Sequence, residues 1–364
     1  MWSGLNRVIF KFQVLRMVQL KKKLSLLFLV FILMTPSFTF ASEIDSITDR
    51  CEPLPDLTVH LNIIVSDGLS KVVNKANKKA KKRYLRTSYP FRKKSGKDYC
   101  NPDDVYKYLR KMFARVLIGQ LESYINKLPE TIVRKTPFEK SIYQDLRFSE
   151  TPTLAGMKKM GSVLRIGDYV VGADKFGHFF AEGWTCFQYA YLFKMKSVDA
   201  ALNYSRFSES LYYGASTTGV YSNADIAVNF NGLRFYNAIT GDGEDPLGSD
   251  KAPEPYLKCV KKQWELVRQF DWNEYIDGAW DEGLNPNLYR NEIILEKVKT
   301  RMDESLAGYP DDCDCKLTES DQIESLRIKY GRYADVFINA GGPGVRPERL
   351  KAGNLLKALL TKPQ

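Results

Sequence analysis

Asp174, His178 and Glu182 stand four residues apart in the segment Gly172-Ala-Asp-Lys-Phe-Gly-His-Phe-Phe-Ala-Glu-Gly183. On an α-helix each four-residue step drifts by about 40°, so this spacing predicts one shared stripe. Phe176, Phe179, Phe180, Trp184 and Phe187 surround the three, and the chain's other histidine is His60. An imidazole between two carboxylates suits three chemistries. It can be an internal hydrogen-bonded triad that orients the helix against its neighbours. It offers a metal-dependent hydrolase the right ligand types, although three successive stripe positions rarely all reach one ion. It can also hold Glu182 as a general acid, because an aromatic setting raises a carboxyl pKa.

A second candidate acid, Glu209, falls near the end of a predicted helix and precedes Gly214-Ala-Ser-Thr-Thr-Gly-Val-Tyr-Ser-Asn223. The Gly, Ser, Thr and β-branched residues of that run predict a hairpin or loop. A helix C-terminus carries negative partial charge and raises a nearby carboxyl pKa. The plain alternative is a solvated helix-end glutamate. This arrangement resembles the lysozyme and lytic transglycosylase superfamily, in which a helix-end Glu is followed by a hairpin such as Gly219-Val220-Tyr221-Ser222. Together with GADKFGHFFAEGW (172–184) and TTGVYSNADIAVNFNGLRFY (217–236), it is similar to the deacetylation-specific lysozymes of predatory bacteria.

The resemblance spans roughly residues 100–290. It implies a mainly α (α+β), lysozyme-like domain with a small hairpin that cleaves deacetylated peptidoglycan strands. It assigns catalysis to Glu182 or Glu209 with Tyr221, and substrate contacts to Asp174, His178, Ser216, Thr217, Thr218 and Asp225. Deacetylation removes the acetamido group that could assist attack, so the enzyme must supply a carboxylate, or place a water, on the far side of the ring, with Asp168, Asp174 and Asp225 the candidate second carboxylates. Neither a cofactor nor a bound metal is implied. Asn223, Asp225, Asn229 and Asn231 present amides and an acid to sugar hydroxyls, or else cap the following helix through Ser222 or Asn223. A Ser-His-Asp hydrolase is disfavoured, because no G-x-S-x-G elbow is present. A non-catalytic envelope protein is the other reading, since similar DKxxHF-like helices occur in uncharacterised periplasmic and lipoprotein families.

The elements that must position these residues are predicted as helices: about Asp103 or Asp104 to Lys127, Asp174 to Lys196, Val198 to Tyr213 and Asp225 to Asn237. Leu57 to Val65 fits a strand or a helix equally. Trp264, Trp272 and Trp280 fall in a further stretch read as helical. The domain reading is a leader at 1–41, a basic extension at 42–100, a catalytic domain at 101–300 and a C-terminal extension at 301–364.

With 364 residues, 44% hydrophobic, the chain is neither disordered nor a disulfide scaffold. Its first 41 residues hold six of the cations and no acid, so the net charge of +11 leaves +5 for the remainder. Lys21-Lys22-Lys23, the apolar run Leu24 to Met34 and Thr39-Phe40-Ala41 read as a secretion signal, with Met17 the better start. The expected location is secreted or periplasmic. In an oxidising compartment, Cys51 and Cys100 are plausible partners, Cys259 pairs with Cys313 or Cys315, and Cys186 is a buried thiol. Residues 71–98 carry twelve cations against one acid. That run is a solvated face or an arm for an anionic wall polymer or membrane surface. Its aromatic content is too sparse for nucleic-acid stacking.

Overall fold

A computed structural model describes residues 43–86, 99–114, 120–193, 197–309, 320–351 and 353–355, within one compact unit of residues 41–364. The segment expected to be a leader, the basic run beyond Arg86, Cys313 and Cys315 lie outside the described residues. The fold is mainly α with a few short strands, an α+β chain that is about 53% helical.

Helix α1 (Thr58–Arg86) settles the ambiguous segment. Asp56 Oδ1 accepts the Thr58 amide at 2.9 Å and its hydroxyl at 2.6 Å, which caps the start. Leu57, Leu61, Val65, Leu69, Val72 and Ala76 then recur at helical spacing and enter the main core. Half of the expected basic arm is therefore a core helix with a charged outer face. Helix α2 (Pro102–Met112) is capped by Asn101, not Asp103 or Asp104. It closes at Phe113, and α3 (Gln120–Ile125) is a separate element.

Strands β1 (Val163–Ile166) and β2 (Tyr169–Gly172) form a hairpin that feeds α4. Helix α4 is compound: α-helical Ala173–Gly177, π-helical His178–Glu182, α-helical Gly183–Phe187 and π-helical Gln188–Leu192. Helix α5 (Val198–Ser208) is capped by Ser197 and ends in another π-turn, Glu209–Tyr213. The central helix α6 (Asn223–Ala238) is capped by Ser222, and every one of its residues is buried. It crosses α4 backbone to backbone. A Cβ on Gly232 would lie 2.1 Å from the Phe179 carbonyl oxygen, and one on Gly183 2.6 Å from the Gly232 Cα. This close crossing fixes which residues of α4 face α6.

Of the hairpin or loop expected at 214–223, the loop is what forms. Strand β3 (Val220–Tyr221) pairs antiparallel with the distant β6 (Leu288–Tyr289), which pairs parallel with β7 (Gly344–Val345). The stretch around Trp264, Trp272 and Trp280 is not an extended helix. Trp264 lies on β5 (Gln263–Leu266), the hairpin partner of β4 (Leu257–Val260), Trp272 opens a 3-10 turn, and Trp280 follows in a loop. Trp272 and Trp280 pack on Phe176 and Phe179 of α4, with the Phe176–Trp272 centroids 4.9 Å apart. Helices α7 (Glu292–Ala307) and α8 (Ser320–Tyr330) pack on two smaller apolar clusters.

Cys100 is bonded to Cys259, joining the start of α2 to β4 and correcting the pairing expected for both. Cys51 is disulfide-bonded as well, and Cys186 is a buried free thiol. Among the described residues no helix is long and apolar enough to cross a membrane.

Candidate functional site

The polar cluster on α4 centres on a residue the spacing argument passed over. Lys175 is fully buried, and its Nζ lies 2.8 Å from Asp174 Oδ2, 2.6 Å from Asp225 Oδ1 and 2.6 Å from Glu282 Oε1. Asp174 comes from α4, Asp225 from the first turn of α6 and Glu282 from the loop before β6. His178 Nε2 lies 3.3 Å from Asp225 Oδ2, and Nδ1 lies 3.3 Å from Asn229 Oδ1. Asn229 Nδ2 donates to Ser205 Oγ at 2.9 Å, which orients that amide. Both ring nitrogens thus face oxygens, which holds the imidazole between Asp225 and Asn229 of α6.

Ser222 ties the second candidate acid to this network. Its amide donates to Glu209 Oε1 at 2.9 Å, and its hydroxyl donates to Glu282 Oε1 at 2.9 Å while accepting the Asp225 amide at 3.1 Å. Asn287 Nδ2 donates to Glu282 Oε2 at 2.7 Å. Glu43, the first described residue, adds a further carboxyl, which hydrogen-bonds the Thr218 hydroxyl and faces Glu282 and Asp225.

These surroundings drive the acids apart. Burial and the Asp225 charge push the Glu209 carboxyl well up, and burial with the Glu282 charge pushes Glu43 up to about 8. Burial also raises Asp174 and Glu282 despite the Lys175 ammonium beside them. Burial acts the same way on Asp225, but His178 and Lys175 outweigh it and hold that carboxyl below its ordinary value. For Lys175, burial is outweighed by Asp174, Asp225 and Glu282, so its ammonium is firmly kept.

The expected stripe runs through a π-turn that begins at His178. His178 meets Asp225 of α6, and Glu182, at the end of that π-turn, is buried beside the Cys186 thiol. Glu209 is not a solvated helix-end residue. It is 2% exposed, with Gly214 pressed against its carboxyl. Tyr221 is buried in an apolar cluster. Ser216 Oγ donates to the Ser210 carbonyl at 2.7 Å, and the Thr217 and Thr218 hydroxyls donate to the Gly214 carbonyl at 2.9 and 3.1 Å. The expected sugar-binding hydroxyls therefore close their own loop. Asn223, Asn229 and Asn231 likewise spend amide hydrogens internally, on the Pro286 carbonyl, on Ser205, and on Tyr330 with the Ala227 carbonyl.

The expected metal set Asp174, His178 and Glu182 does not assemble. Asp174, Asp225 and Glu282 do offer oxygens within 4.8 Å of one another, but the Lys175 ammonium stands among them and supplies the positive charge.

A large cleft opens elsewhere. It measures about 1280 Å³ and lies between α2, the end of α4 and the loop after α6. Tyr106, Trp184, Phe187 and Tyr191 form an aromatic wall, with the Trp184 and Phe187 centroids 5.6 Å apart. Lys107, Arg110 and Lys111 line it from α2, and the Arg110 guanidinium lies 5.1 Å from the Trp184 ring centroid. Asp103 and Asp242 are exposed at its rim, the latter accepting the Thr240 hydroxyl at 2.7 Å. Neither Glu182 nor Glu209 lines it. Lys79 and Arg83 of α1 clamp Asp104 of α2, which leaves Lys71, Lys75, Lys78 and Lys82 as an exposed stripe on the adjoining face. No protein-family model, no curated protein and no solved structure matches the chain.

Proposed function

We propose that this chain is an exported envelope protein that binds anionic wall glycan in the aromatic cleft and does not cut it. One observation carries the reading: the cleft combines four aromatic rings with Lys107, Arg110 and Lys111, and both candidate acids lie outside it. Tyr191 offers a half-exposed ring face to a sugar, with Tyr106, Trp184 and Phe187 packed behind it, and the cations meet the carboxylates of wall stem peptides. At about 1280 Å³ the cleft exceeds the roughly 300–1,000 Å³ of small-molecule pockets, which suits a strand rather than a monomer. The lysine stripe on α1 extends the same positive field toward an anionic polymer. Calorimetric titration with soluble glycan strands carrying stem peptides tests it. Binding that weakens about tenfold in Arg110→Ala and in Trp184→Ala supports the reading, and unaltered binding in both variants rejects it.

The opposed shifts of Glu209 and Asp225 favour a second reading, hydrolysis of deacetylated glycan. A proton-bearing Glu209 next to an ionised Asp225 is the pairing an acid–base glycosidase needs. That reading requires the cover over Glu209 to open for a sugar. Release of muropeptides from deacetylated wall, lost in Glu209→Gln, would establish it over the binding reading.

A further inference from the structure

We propose that the aromatic cleft holds its ligand by two opposite charges, and so selects wall stem peptides that carry both a free amine and a carboxylate. The inference rests on the glycan-binding reading and adds the part of the strand that is recognised. Helix α2 turns one face to the cleft. Asp103, Lys107 and Arg110 recur at helical spacing on that face, with Lys111 on its flank. The charges are sorted along the axis: an acid in the first turn, then cations in the second and third. At about 1.5 Å per residue, Asp103 and Arg110 stand about 10 Å apart along the helix.

Acids suit a helix start and cations its end, so α2 alone would carry no ligand argument. The second acid comes from a different element. Asp242 lies in the loop after α6 and lines the same cleft. Its Oδ2 accepts the Thr240 hydroxyl at 2.7 Å, and Thr240 Oγ1 lies 3.1 Å from the Tyr106 phenol of α2. The Asp242 and Asp103 charges both act on that phenol, adding to the burial that raises it. Two elements thus bring acids to one end of the cleft, while the cations of α2 follow along its wall. Among the described residues none of these five charges enters an ion pair, although the neighbouring Asp104 holds both Lys79 and Arg83. Arg110 rests against the Trp184 ring instead.

Three extended residues cover about 10 Å, so a stem peptide spans the distance from Asp103 to Arg110 and a single amino acid does not. Its amine meets Asp103 and Asp242, and its carboxylate meets Arg110 and Lys111. Amide formation in a cross-link removes the charge of the amine, so the favoured ligand is strand that is not yet cross-linked.

Calorimetric titration of the full chain uses soluble strands in three forms: with amine-bearing stem peptides intact, with those amines acetylated, and peptide-free but deacetylated on the sugars. Acetylation of the peptide amines should weaken wild-type binding about tenfold. Asp103→Asn combined with Asp242→Asn should weaken binding of intact strands about tenfold and no longer distinguish them from acetylated ones. Both acids are exposed, so the variant keeps the fold. A cleft that is only cationic gives the opposite sign, because losing acids, or the amine of the strand, strengthens its attraction. Equal wild-type binding of intact and acetylated strands, or tighter binding by the double variant, overturns the inference, while a loss in Arg110→Ala keeps the glycan-binding reading. Peptide-free deacetylated strands that bind as tightly as intact ones assign the amine to the sugar and overturn it as well. Absence of binding in all three forms overturns the glycan-binding reading and this inference with it.

Discussion

Replacing Lys175 by Met removes one ammonium and leaves Asp174, Asp225 and Glu282 without the cation they share at 2.6–2.8 Å. Deleting one partner of a buried ion pair costs about 3–5 kcal/mol, because the other charge stays buried. The carboxylates can escape part of that cost by taking up protons, and Asp174 and Glu282 are already displaced in that direction. An acid protonated only in the folded state contributes stability at low pH that is lost as pH rises, at about 1.4 kcal/mol per pH unit. The Lys175→Met deficit should therefore be about 4 kcal/mol at pH 7.5 and shrink to about 1 kcal/mol at pH 5. Urea unfolding followed by the fluorescence of Trp264, Trp272 and Trp280, all buried, measures both values. A deficit under about 1 kcal/mol at pH 7.5, or an equal deficit at both pH values, would refute the idea that Lys175 is the cation holding this network.

Glu209→Gln should be more stable than wild type at pH 7.5 and close to it at pH 4.5, since Gln copies the protonated acid that burial favours; a uniform loss in a pH series of urea melts goes against this. Lys175→Ala should open a cation site, so millimolar divalent metal should raise its melting temperature and leave wild type unchanged, as read by thermal shift. Gly232→Ala should cost about 3 kcal/mol, because the added methyl meets the Phe179 carbonyl and not a movable side chain; equilibrium unfolding measures it. Replacing Cys100 and Cys259 by Ser should cost about 4 kcal/mol, given a sequence separation of 159, as read in the same melts without reductant, which leave the Cys51 bond intact.

The helices around the cluster were readable because their apolar residues recur at helical spacing and Ser197 and Ser222 mark two starts. What lay between them was less so. The π-turn at His178–Glu182 leaves no mark in residue types, so spacing alone does not give the helix pattern there. Lys175 stood in plain view beside Asp174. The usable signal was a lone lysine in the run from Tyr169 to Phe180, whose other residues apart from Asp174 and His178 are apolar, glycine or tyrosine, so that its ammonium calls for buried acids. Glu282 could not be found by periodicity, because it sits in a loop between elements. Glu43 was hidden by its place next to the expected leader boundary. Strand β3 was assigned a local partner because turn residues precede it, whereas its hydrogen bonds are met by Leu288 and Tyr289, and sequence proximity carries no information about such pairing. The cleft was invisible for the same reason: Tyr106, Trp184 and Asn237 come together only once α2, α4 and α6 have packed.

Co-sedimentation of the protein with purified wall sacculi, with new reducing ends counted in the same tubes, tests the binding account most directly. The account predicts that wild type pellets, that Trp184→Ala and Arg110→Ala remain largely in the supernatant, and that no reducing ends accumulate on native or deacetylated wall. Reducing ends that rise with wild type and vanish with Glu209→Gln, or pelleting equal in all three proteins, would contradict it.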